Sequence, residues 1–87
     1  MARSVKILYF AWVRERMGRE QEQLELPDHV KTIADLVAFL AARDEQGAYA
    51  FANPSVVRAA LDRGHVPPTT ALDKTMEIAF FPPMTGG

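Results

Sequence analysis

Eighty-seven residues, 48% hydrophobic and 24% charged, make a globular chain with one modest core and no room for a deep catalytic cleft besides. A net charge of −1 argues against a nucleic-acid binder, which needs a basic excess. The absence of cysteine excludes disulfides, thiolate metal sites, cysteine nucleophiles and any persulfide carried on this chain, and it fits a reducing cytoplasm.

Val5 to Phe10 is rich in β-branched and aromatic residues, with Lys6 its single charge, and predicts a central strand buried on both faces. The apolar run from Ile7 to Val13 is too short to span a membrane. Arg14-Glu15-Arg16 follows it in place of a signal-peptide cleavage site, so the expected location is cytoplasmic. Ala11 to Met17 predicts a helical turn or two, ended by Gly18 just past its C-terminus. Gln21 to Leu26 alternates, Leu24 and Leu26 against Gln23 and Glu25. That predicts a half-solvated strand antiparallel to the first, closed by Pro27-Asp28.

Ile33, Leu36, Val37 and Leu40 fall at i, i+3, i+4 and i+7, which predicts an amphipathic helix over Ile33 to Arg43. Thr32 suits its N-cap, with Asp35 completing a capping box, and Asp44-Glu45-Gln46-Gly47 is expected to end it. Ala48 to Ala52 reads as a short turn and Val56 to Leu61 as a strand, while Pro67-Pro68 forbids a continuous ladder. Met76 to Phe81 is the last strand, with Met76, Ile78 and Phe80 on one face. This order predicts an α+β fold: one main helix on a small mixed sheet, its first and last strands paired in parallel at the centre. That is the β-grasp arrangement of ubiquitin, with residues 1–81 as one domain and 82–87 as a flexible tail.

Familiar catalytic patterns are missing. His29 and His65 stand apart with no metal-ligand spacing, Ser4 and Ser55 lie in no nucleophile elbow, and no phosphate-binding glycine motif occurs. Arg14-Glu15-Arg16 and Arg19-Glu20 read as a solvated, mutually neutralising face. Trp12 suits either a cap over the core or a partner contact. The distinctive feature is the end, Phe80-Phe81-Pro82-Pro83-Met84-Thr85-Gly86-Gly87, in which no side chain is charged. Glycine lacks a Cβ and can enter a channel too narrow for other residues. The prolines stop the strand near Phe81, and Pro82 to Gly87 can reach roughly 20 Å at about 3.3 Å per residue. The one unusual reactive group expected is the Gly87 carboxylate, which is inert until a separate ATP-using enzyme activates it.

Val5-Lys6-Ile7-Leu8-Tyr9-Phe10-Ala11, then Val13-Arg14-Glu15, Gly18 and the stretch Glu77 to Gly87, resemble the small subunits of molybdopterin synthases over nearly the whole chain. These belong to the β-grasp, ubiquitin-like sulfur carriers. The resemblance implies an acyl-adenylate and then a thiocarboxylate on Gly87, with Gly86 and Thr85 entering the partner and Phe10, Arg14 and Phe81 binding it. It implies three partners: a large catalytic subunit in a heterotetramer, an adenylyltransferase related to ubiquitin-activating enzymes, and a sulfurtransferase. The sulfur would go to cyclic pyranopterin monophosphate, and two rounds would build the dithiolene that holds molybdenum. No cofactor, metal, membrane or active site of its own is implied for this chain; ATP is used by the activating partner.

The sequence departs from that family at Asp73-Lys74-Thr75-Met76, which replaces an acidic-glycine turn, and at Asp62, where asparagine is usual. It departs again at His65, which falls at or beside an apolar contact position. A ubiquitin-like modifier joined to lysines through Gly87, a carrier for another pathway such as thiamine synthesis, and a plain interaction module are the alternatives.

Overall fold

The computed structural model describes residues 3–62, 64–72 and 77–83. Arg3–Tyr9 form β1, Ala11–Met17 α1 and Gln21–Leu26 β2. Ile33–Arg43 form α2 and Glu45–Ala50 α3; after a 3₁₀ turn at Pro54–Val56 come Arg58–Leu61 as β3, Gly64–Val66 as β4 and Glu77–Phe81 as β5. The five strands make one sheet in the order β2-β1-β5-β3-β4. β1 and β5 lie side by side in parallel, with Ile7 opposite Ile78 and Tyr9 opposite Phe80, as the chain order predicts. β2 and β3 flank this pair antiparallel.

One face of the sheet is buried. Val5, Ile7 and Tyr9 of β1, Ile78 and Phe80 of β5, and Ala59 of β3 join Val13 and Met17 of α1 and Ile33, Leu36 and Leu40 of α2 in a single cluster. Burying that much apolar surface is the main favourable contribution to the fold. The prediction that β1 is buried on both faces is wrong: Ser4 and Lys6 are exposed and Leu8 is half-buried. All the helices that join the core lie on one side, so among the described residues no helix covers the other face of the sheet.

The helix ends follow the sequence closely. Gly18 closes α1 with φ 73°, a left-handed conformation that glycine takes without steric cost. Thr32 and Asp35 form the expected capping box on α2, the Thr32 hydroxyl accepting from the Asp35 N–H and the Asp35 carboxylate from the Thr32 N–H. The carbonyls of Thr70 and Pro68 accept from the N–H groups of Ile33 and Ala34, so the proline-bearing loop satisfies the first turn of α2.

Three expectations are corrected beyond the middle of the chain. Asp44 does end α2, but its extended backbone also starts α3, where its carboxylate accepts from the Gly47 N–H at 2.7 Å. Residues read as the end of α2 and the start of a short turn therefore form a further helix, α3, that packs on α2, with Gly47 buried. The strand expected from Val56 begins at Arg58, because Pro54 draws the preceding residues into the 3₁₀ turn. The short strand β4, not anticipated, pairs with β3 and stops before Pro67-Pro68. The Asp73–Met76 turn lies outside the described residues.

Candidate partner surface at the end of the central strands

The C-terminal ends of the two parallel central strands meet at one edge of the molecule. There the Phe10 N–H donates to the Phe80 carbonyl at 3.0 Å, which carries the β1–β5 ladder one residue past Tyr9 and sets Phe10 beside Phe81. Ala11 then takes φ 53°, a strained conformation for a residue with a Cβ, costing about 1 kcal/mol. That sharp turn starts α1 immediately and leaves Phe10 outside the core, 48% exposed. Arg14 lies one helical turn further, its N–H donating to the Phe10 carbonyl, and its side chain is exposed.

Phe81 alternates away from the buried Ile78 and Phe80 and stands half-buried on the open face. It lies opposite Arg58 of β3, and its ring meets that of His65 at 4.9 Å between centroids. The strand periodicity and the turn at Ala11 thus bring Phe10, Arg14 and Phe81 to one end of the sheet, where Pro82 and Pro83 leave β5 half-buried. Thr85, Gly86 and Gly87 lie outside the described residues. Among the described residues no group of histidine, cysteine or carboxylate side chains could hold a metal, and no helix is long and apolar enough to cross a membrane.

Inward from this edge the open face continues as Leu8, Ala79, Ala60 and His65, register neighbours across four strands, followed by Lys6 opposite Glu77. Leu8 and Ala79 are half-buried, so a band of apolar character runs across a face that the helices do not cover. Sequence reading missed this band because it assigned Leu8 to the core. Asp62 secures its far corner with φ 46°, accepting the Glu77 N–H on Oδ1 at 3.1 Å and donating its own N–H to the Glu77 carbonyl. Asparagine and aspartate tolerate this left-handed conformation best among residues with a Cβ, which accounts for an Asx residue after β3.

Trp12 is half-buried against the core, and the Arg16 guanidinium lies between its ring and that of Tyr49, 4.6 and 4.5 Å from the two centroids. This sandwich joins α1 to α3. It makes Trp12 a cap at the rim of the core, on a different flank of α1 from Arg14.

A mixed sheet with its parallel pair at the centre and a helix across one face defines a β-grasp protein. Residues 7–87 match the ThiS family, and the chain belongs to it. Two curated relatives, the molybdopterin synthase sulfur carrier subunits of Haemophilus influenzae and Escherichia coli, are each 34% identical to it over 83 residues, covering 95% of this chain and 99% of theirs. Among solved structures, SAMP1 from Haloferax volcanii superposes with a TM-score of 0.71 at 19% identity, covering 98% of this chain and all of that one. A Pyrococcus furiosus protein described as a molybdopterin converting factor, subunit 1, does so at 0.70 and 24% identity, over 93% of this chain and 98% of its own. The two structures bear on the fold; the curated relatives bear on function.

Proposed function

We propose that the chain is the sulfur-carrier subunit of molybdopterin synthase. The observation that carries this reading is the 34% identity to two such subunits over nearly the full length of both chains. In this reading a large catalytic subunit supplies the active site, and this chain supplies the sulfur. An activating enzyme uses ATP to convert the Gly87 carboxylate to an acyl-adenylate, a sulfurtransferase step replaces the adenylate with sulfur, and the thiocarboxylate delivers that sulfur to cyclic pyranopterin monophosphate. A carrier without cysteine needs such an acyl species.

Phe10, Arg14 and Phe81 are the partner-binding residues in this proposal. Aromatic and arginine side chains at a chain's exit point are the types that dominate interface energetics. Residues 82–87 would thread into the partner with Gly86 and Thr85 lining the way, and the pair would act in the cytoplasm.

Intact-mass measurement on the protein purified from its own host tests the reading, followed by transfer to the pterin with the large subunit present. One oxygen replaced by sulfur, and dithiolene formed, is the expected result. Conjugates linked to lysine in place of the sulfur species would overturn it in favour of a protein modifier.

A further inference from the structure

Ala60 sits on the open face of the sheet, in register with Ala79 on one side and His65 on the other. It is nevertheless only 6% exposed, and it does not belong to the core cluster beneath the sheet. On the same face the rings of the flanking strands, His65 from β4 and Phe81 from β5, meet across β3, tilted 50° to each other with centroids 4.9 Å apart. A small residue between two rings lets them meet across a strand, so this face has a miniature apolar layer of its own, half of which is an imidazole.

His65 remains exposed, and among the described residues its side chain has no hydrogen-bond or ion-pair partner. The charged groups that face this layer are unevenly placed. Arg58 stands across from Phe81, and Arg14 lies beyond Phe10 at the same end. The acidic groups lie at the other end: Glu77 faces Lys6 in register, and the Asp62 carboxylate is occupied by the Glu77 N–H. Phe81 is therefore an aromatic anchor with an arginine and a histidine together on its β3–β4 side. A surface complementary to it has an apolar slot with an acidic rim.

We propose that His65 is a specificity-determining residue of the partner-binding face, pairing through a ring nitrogen with a carboxylate of the large subunit while Phe81 fills the apolar slot beside it. The proposal rests on the reading of this chain as a sulfur-carrier subunit. A carrier with an aliphatic side chain at the same place would leave that carboxylate desolvated and unpaired, which is how one large subunit would distinguish this carrier from a similar one.

Calorimetric binding of the full chain to its large subunit tests this, comparing the wild type with His65→Gln, His65→Leu and Phe81→Ala across the range from about pH 8 to about pH 6, where histidine changes charge. The wild type should tighten by about tenfold as the pH falls, the scale of a hydrogen bond to a charged group. Both His65 variants should lose that increment, and the difference between profiles removes every other titrating group on the two surfaces. A wild-type pH profile in either variant, or tighter binding by His65→Leu, overturns the role of His65. If Phe81→Ala binds weakly in that case, the carrier reading survives. A wild-type chain that does not bind the large subunit at all overturns the carrier reading, and the role of His65 with it.

Discussion

Glu22 and Arg43, from β2 and the last turn of α2, meet as a two-point pair: Arg43 Nη1 donates to Oε1 at 3.0 Å and Nη2 to Oε2 at 2.9 Å. The Tyr9 hydroxyl donates to the same carboxylate at 2.6 Å and Arg19 Nη1 at 2.9 Å. One side chain on β2, 12% exposed, thereby ties β1, the loop after α1 and the end of α2 together. Two-point pairing with a planar guanidinium gives such a contact direction as well as strength.

That carboxylate makes the fold sensitive to acid. Burial raises the Glu22 pKa, but hydrogen bonds from Arg43, Tyr9 and Arg19 outweigh it and hold the group below the ordinary glutamate value. A pKa depressed in the folded state gives stability that is present above the unfolded value and is lost as pH falls through the folded one. Glu22→Gln should cost about 2 kcal/mol at neutral pH, between the values for an exposed and a fully buried pair because the site is partly solvated. Urea denaturation of both proteins should show the gap narrowing below the ordinary glutamate pKa. A gap that is independent of pH would mean that the charge contributes nothing.

Tyr9 limits stability at the alkaline end. Burial first, and then the Glu22 carboxylate, push its hydroxyl well above the ordinary tyrosine value. A raised pKa gives stability that is intact below the unfolded value near 10 and declines as pH rises beyond it. Tyr9→Phe should flatten that alkaline decline, measured by denaturation at rising pH. It should also lose about 1 kcal/mol at neutral pH with the hydrogen bond to Glu22.

Gly47 is a steric test of how α3 packs on α2. A Cβ there would overlap the Leu40 carbonyl of α2, a backbone atom that has no rotamer to escape into. Gly47→Ala should therefore destabilise by about 2–3 kcal/mol in spite of alanine's better helix propensity. A thermal melt that is unchanged or raised would show that the two helices are not held this close.

Under the proposed role for Phe81, its loss should tell in the complex and little in the free chain. The residue is half-buried on the face of the sheet opposite the helices, across from Arg58 and against the His65 ring. Phe81→Ala should weaken large-subunit binding by about thirtyfold, or roughly 2 kcal/mol, and lower stability by less than about 1 kcal/mol. A large fall in melting temperature with unchanged binding would place Phe81 in the core's economy and not the interface's.

The position of the terminal acyl carbon is open to the same kind of test. One residue added after Gly87, or Gly87 deleted, displaces that carbon by about 3.3 Å, and even about 1 Å can cost a hundredfold in rate. Both variants should fold and bind the large subunit yet form no thiocarboxylate when given the activating enzyme, ATP and a sulfide source. Normal turnover by the extended chain would sink the carrier reading.

Much of this architecture was legible because its signals are local. The apolar stripe Ile33, Leu36, Val37 and Leu40 predicts α2 to the residue, and two strongly apolar strands at the ends of the chain predict the parallel centre. What escaped has identifiable causes. Gly47 disguises α3, since its poor helix propensity hides the packing that requires it. Three residues are too few to show a period, so β4 and the position of His65 were not visible. Leu8 and Phe10 extend an apolar run whose buried and open members differ only by alternation, and a run of apolar residues does not reveal which face a helix will cover. The Glu22–Arg43 pair joins residues 21 apart, a separation no local pattern encodes.

The place of β5 in the sheet has a mechanical consequence. The strand is held between β1 and β3, with ladder bonds on both sides running across its length. A pull applied along the strand from its C-terminal end loads those bonds together in shear and does not unzip them singly. An edge strand such as β4, bonded on one side only, would peel. In the proposed reading, a carrier whose last described strand is held at the sheet's centre keeps its fold when its end is pulled from a partner.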